Sequence, residues 1–145
     1  MTEIVDNVVN YLENHRYLTL ATVSSNGAPM AATVSYANNG TTIFFSTGKT
    51  TNKFKNITKN PNIALTVDED YDNWGEIQGV QLMGKALLLE ESSDIDMAKK
   101  TLGCKFPQMA HMPKNIDFAF FKIEPTTAYF LDNSKGFGHR DKVEL

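Results

Sequence analysis

One cysteine, Cys104, in 145 residues leaves no partner for an internal disulfide and no multi-cysteine metal site, as suits a reducing compartment. Positive charge is not in excess either. Lys and Arg total 14 against 17 acids, for a net charge of -3 with no block of one sign, so the electrostatic footprint of a nucleic-acid binder is missing. No apolar run approaches the roughly 18 residues that cross a bilayer, and the start lacks a basic stretch leading into an apolar one. The expectation is a cytoplasmic protein with neither a membrane nor a nucleic-acid partner. His15, His111 and His139 are scattered without ligand spacing, so no metal site is expected; Met109 and Met112 beside His111 are soft donors, but in an apolar loop methionines pack. Gly48-Lys49-Thr50 ends like a triphosphate-binding loop, yet Ile43 stands where that loop needs its first glycine. His139-Arg140-Asp141 matches a kinase triplet by accident, because the chain has no glycine-rich nucleotide loop.

What is present is an ordinary globular composition, 41% apolar and 21% charged, enough for one domain over residues 1–145 with a polar tail over 132–145. Ile4, Val5, Val8, Val9 and Leu12 form the stripe of a helix over 2–14. Strands follow at 17–23, 30–36 and 41–46, joined by turns at Asn26-Gly27 and Asn39-Gly40, which predicts a three-stranded antiparallel meander. Further strands are expected at 62–68, 77–89 (with Gly79 and Gly84 marking a bulge, a bend or a close approach) and 117–131, bent near Pro125. Ser93-Asp94-Ile95-Asp96 reads as a capping box opening a helix that Gly103 ends, and 106–115, with two prolines, reads as loop. Six antiparallel strands with a few short peripheral helices make a mainly β, α+β fold, a closed or nearly closed barrel.

The stretch from Phe44 to Ile57 is chemically the densest. An apolar strand ends in Ser46 and Thr47, a Gly-Lys turn follows, and Thr51 precedes a segment with Phe54 and Ile57 on one helical face. Hydroxyls and lysines at a helix N-terminus form a receptacle for a phosphate dianion. Lys53 would sit in the first turn, where the helix dipole disfavours a cation unless an anion is bound nearby. The competing reading is three solvated lysines around a capping threonine.

The order of Ser46-Thr47, Thr51-Asn52-Lys53, Asn60-Pro61 and Met83-Gly84-Lys85-Ala86 resembles the pyridoxamine 5'-phosphate oxidase-like family of FMN-binding split barrels, over about 17–130. The resemblance implies a six-stranded antiparallel split β-barrel, forming a homodimer with FMN in two clefts at the subunit interface. It implies phosphate contacts from Thr51 and Lys53, with Asn52 where members often place an arginine. Ser46 and Thr47 would meet the phosphate and ribityl chain, Ala32, Thr33, Val34 and Ser35 would line the ring with their backbone, and Gln78 or Gly79 would reach the partner's flavin. Trp74 would either cover the ring slot from the neighbouring chain or pack on its own barrel. Ala32 and Ala37 stand where the B6 oxidases carry basic residues, and the C-terminal arginine-histidine motif is only loosely echoed by His139-Arg140, so vitamin B6 synthesis is not expected. The shorter relatives, general stress proteins and flavin reductases, are closer.

Function then follows as an oxidoreductase passing hydride or electrons from a small donor to a small acceptor, with no side chain standing out as general acid or base and no catalytic residue named. The alternatives are a sensor or carrier that holds FMN or haem on the same barrel without turnover, with His139 as axial ligand, or an enzyme using a deazaflavin.

Overall fold

The computed structural model describes residues 2–145. Helix α1 (Thr2–Glu13) leads into β1 (Tyr17–Val23) and β2 (Pro29–Ser35), a hairpin paired from Tyr17 opposite Ser35 to Val23 opposite Pro29. Its turn places Gly27 at φ 84°, a left-handed conformation that a side chain would oppose. The second Asn-Gly turn, with Gly40 at φ 60°, joins β3 (Ala37–Asn39) to β4 (Thr42–Gly48).

The expected meander does not form, because β3 and β4 lie at the far end of the sheet from β2. Tyr36 is the cause. Its ring is fully buried and its hydroxyl donates to the Leu12 carbonyl at 2.6 Å, so the chain pivots at Tyr36 towards α1 instead of folding back on β2. After α2 (Asn52–Lys59) come β5 (Asn62–Val67), β6 (Gln78–Leu88), α3 (Ser92–Lys105), β7 (Phe118–Asp132) and β8 (Arg140–Glu144). The antiparallel order is β2-β1-β5-β6-β7-β4-β3, with β8 also on β7. This is the mainly antiparallel split barrel, with eight strands among the described residues where the sequence reading counts six. The extra two are the three-residue β3, which reads as turn, and β8, inside the stretch read as polar tail, where only Val143 points into the core.

Two more local expectations are corrected. The amides of Asp94 and Ile95 bond the Glu91 carbonyl, so α3 starts before the proposed capping box, and it runs through Gly103 to Lys105. Residues 107–111 form a 3-10 turn, which Pro107 can open because its fixed φ suits a first helical position.

The main core stacks Phe45 on Phe121, ring centroids 5.1 Å apart, with Leu12, Leu20, Leu65 and Leu82 around them. A second cluster, Phe44, Leu89, Ala98, Leu102 and Phe120, fixes α3 outside β4 and β7. No helix among the described residues is long and apolar enough to cross a membrane.

Where α3 ends against α1, Lys105 Nζ donates to the Leu12 carbonyl at 3.2 Å and lies 4.1 Å from the centre of the Tyr36 ring. Burial, assisted by the charge of Arg16 and opposed by Glu13, pushes this ammonium down to about 8. Between pH 8 and the ordinary lysine value the unfolded chain therefore binds more protons than the folded one, and the contribution of Lys105 to stability rises with pH. Tyr11 and Tyr36 act oppositely. Burial raises both above the ordinary tyrosine value, so their contribution falls as the unfolded chain ionises above pH 10. Thermal unfolding across pH 7 to 10 should show the rise, about 1 kcal/mol once solvent screening of this half-exposed group is allowed for, and Lys105→Met should flatten it.

Candidate functional site

The sheet has an open seam. Strand β2 ends the strand order with one edge unpaired, and β3 covers β4 only from Thr42 to Phe44, so Ser46, Thr47 and Gly48 have no strand on that side. Between these edges lies a cleft of about 410 Å³. Thr33, Val34 and Ser35 line it from β2, Ser46, Thr47 and Gly48 from β4, and Lys53 from the first turn of α2. Leu102, Phe106, Met109, Met112 and Phe118 supply an apolar wall, with Gln108 among them.

The polar end is built by Thr51, which caps α2 as its spacing predicts. Its Oγ accepts from the Phe54 amide at 3.2 Å and donates to the Gly48 carbonyl at 3.0 Å. Since that bond uses its only hydrogen, the 2.9 Å bond between the two threonine hydroxyls must run from Thr47 to Thr51. Both hydroxyls thus hold the turn together and neither has a hydrogen left for a ligand. The donors that remain at this end of the cleft are the Ser46 hydroxyl, the Lys53 ammonium and the first-turn amides of Asn52 and Lys53.

The lysines divide. Lys49 is paired with Asp117 at 3.2 Å, whereas Lys53 has no acidic partner among the described residues, and α2 has no acid in its first turn. An unneutralised cation beside a positive helix end is unfavourable alone and favourable beside an anion.

A second recess, about 500 Å³, lies elsewhere on the chain and holds Trp74, Gln78 and Gly79 with Tyr71, Tyr129 and Arg140. A Cβ on Gly79 would come within 3.3 Å of the Val67 carbonyl, a tight contact. Gln78 stands opposite Asp132 across β6 and β7, and the Asp132 carboxyl is kept below its usual range: burial works against this, but bonds from the Ser134 hydroxyl and amide and the charge of Lys135 outweigh it. Trp74, 68% exposed, rests 6.0 Å from Phe137, itself 81% exposed. The acidic loop before Trp74 is tied to α1 through the Tyr11–Tyr71 hydroxyl pair at 3.0 Å and to the segment just after it through His15 and Glu69 at 2.7 Å.

Of the residues named from sequence, Thr33, Val34, Ser35, Ser46, Thr47 and Lys53 share the first cleft, and Trp74, Gln78 and Gly79 share the second. Ala32 is half-buried on β2, Thr51 sits behind the cleft as cap, and Asn52 is exposed at the start of α2; none of the three lines either recess. The apolar wall was missed because 106–115 reads as loop. Its signal was Met109 and Met112, three apart after Pro107, which on a 3-10 turn stand on one face. His111, between them, does not line the cleft.

Comparison with known proteins agrees with this geometry. General stress protein 26 of Bacillus subtilis (strain 168) is 26% identical over 123 residues, 85% of this chain and 84% of that protein. Campylobacter jejuni ChuZ superposes with a TM-score of 0.83 at 18% identity, over 99% of this chain and 60% of its own. A heme binding protein from Mycobacterium smegmatis gives 0.80 at 16%, over 99% and 58%. The chain thus spans about three fifths of these two structures, and the likeness carries the fold. The pyridoxamine 5'-phosphate oxidase family model matches residues 4–132, the stretch that holds the first cleft, all of the second recess but Arg140, and every strand but β8, and the chain belongs to that family.

Proposed function

We propose that this chain is a homodimeric FMN protein that passes hydride or electrons from a reduced nicotinamide or similar donor to a small acceptor. The observation that carries the reading is the convergence, in one cleft, of the unpaired Lys53 ammonium, spare α2 amides, an open strand edge and an apolar wall. The residues fit the group. Lys53, Ser46 and the α2 amides would hold the phosphate, with Thr47 and Thr51 fixing the turn. The β2 backbone from Ala32 to Ser35 would serve the polar edge of the ring, and Phe106, Met109 and Met112 would exclude water from its apolar part. Trp74, Gln78 and Gly79 line a separate recess of the same protomer, and a second copy would bring them to this cleft. FMN, when bound, supplies the redox chemistry; the chain binds, orients and shields it.

The test is a visible spectrum of natively purified protein, followed by titration with FMN and by mass measurement in solution. Flavin bands, quenched FMN fluorescence and a dimer with one flavin per chain are expected. A monomer that leaves FMN fluorescence unchanged would overturn the reading. Anaerobic reduction by NADH followed by acceptor addition separates an enzyme from a carrier, and mass spectrometry of the extracted cofactor separates FMN from a deazaflavin. A haem-binding module is the second reading, favoured by the likeness to the mycobacterial heme binding protein. No histidine among the described residues lines the cleft, and His139 lies 3.3 Å from Asp141. A Soret band in place of flavin bands would select it.

A further inference from the structure

Outside the proposed site, one nucleophile stands in an unusual setting. Lys105 lines a recess between α1, β3 and α3, about 770 Å³, together with Glu13, Ala37, Met97 and Cys104. No carboxylate lies within ion-pair distance of its amine among the described residues; it is held by the Leu12 carbonyl and the Tyr36 ring. The same carbonyl accepts from the Tyr36 hydroxyl at 2.6 Å and from Lys105 Nζ at 3.2 Å, one donor for each lone pair. The charged and titratable groups around it come from every packed element: Glu13 from the end of α1 and Arg16 just beyond it, Asp96, Lys100 and the Cys104 thiol from α3, and Tyr36, which burial keeps neutral.

We propose that Lys105 is a site of Nε-acylation by acyl thioesters, its amine attacking the thioester carbonyl directly within this recess. In the neutral amine one hydrogen serves the Leu12 carbonyl and the lone pair is free to face the recess. The new bond is C–N; the bond that breaks is the acyl C–S, and the donor leaves as a thiol after taking the proton released by the amine. No redox partner is required. Met97, exposed beside Lys105, gives a short acyl chain apolar surface, and the product amide N–H can keep the bond to Leu12. The lowered proton affinity supports the assignment: at pH 7.5 a lysine titrating near 8 is about one quarter neutral, against about one in a thousand for an ordinary one.

The test uses the wild-type full chain with S-acetyl-N-acetylcysteamine, following acetylation of each lysine by peptide mass spectrometry from pH 6.5 to 10. Lys105 should react at least tenfold faster than the median lysine at pH 7.5. Its rate should level off above pH 8.5, whereas exposed lysines continue to accelerate, and Cys104→Ser should leave it unchanged. Reaction within twofold of the median, or a rate still climbing at pH 10, overturns the proposal. A tenfold loss in Cys104→Ser overturns it as well, by moving the primary nucleophile to the thiol.

Discussion

Lys53→Ala is expected to weaken FMN binding about ten- to a hundred-fold while leaving riboflavin binding within about twofold. The argument is one of charge placement. A hydrogen bond to a charged group is worth about 1.5–3 kcal/mol, and each 1.4 kcal/mol is tenfold in affinity. Lys53 is the cation that lines the cleft, Lys49 being paired with Asp117 outside it. Riboflavin has the ring and the sugar chain but no phosphate, so it isolates the contribution of that end. The same substitution should leave the free protein as stable or slightly more so, because it removes a cation from the first turn of α2, where the helix dipole opposes it by about 0.3–1 kcal/mol. Loss of FMN affinity together with an unchanged or higher melting temperature is a pairing that general misfolding cannot produce. If FMN and riboflavin weaken equally, Lys53 is not at the phosphate, and the orientation of the cofactor in the cleft must be reversed.

The parts of this site that were legible in the sequence are those set by neighbours a few residues apart. Thr51 is three residues from Phe54, and the cap bond follows from that spacing. The two Asn-Gly turns likewise fix their hairpins locally. What was not legible depends on contacts distant in the chain. Whether β4 folds back on β2 or crosses to the other end of the sheet is decided by where Tyr36 buries its ring, and its partner is Leu12, 24 residues earlier. The error had a functional consequence, since a β2–β4 pairing would have closed the seam that forms the cleft. The apolar wall was hidden for a similar reason: Met109 packs on the α3 cluster, and nothing in 106–115 alone says that a cluster is there. Phe137 escaped notice because an exposed aromatic in a glycine-rich turn carries no periodic signal.

Gly84→Ala should cost about 3 kcal/mol or more, lowering the melting temperature by about 10 °C in a chain of this size. Gly84 is buried in β6 at the point where its register with β7 shifts, opposite Pro125. A Cβ there would lie 2.8 Å from Pro125 Cα, 3.0 Å from the Glu124 carbonyl carbon, and closer still to the Glu124 oxygen. All three are backbone atoms of a paired strand, so no rotamer change relieves the clash. The two strands must part instead. Pro125 contributes no amide to the ladder, so this is already the weakest rung of the β6–β7 pairing. Two other glycines calibrate the effect. At Gly79 a Cβ meets the Val67 carbonyl at 3.3 Å, a contact that a shift of a few tenths of an ångström accommodates, and Gly79→Ala should cost clearly less. Gly103, which the sequence suggests as a helix stop, lies inside α3 with open space around it, so Gly103→Ala should stabilise by up to about 1 kcal/mol. The predicted ranking, Gly84 far below wild type, Gly79 moderately below and Gly103 above, rests on backbone geometry and owes nothing to glycine content. A Gly84→Ala protein that melts with the wild type would show that β6 and β7 do not approach at the bulge, and with it that the end of β6 carrying Gln78 and Gly79 is placed differently.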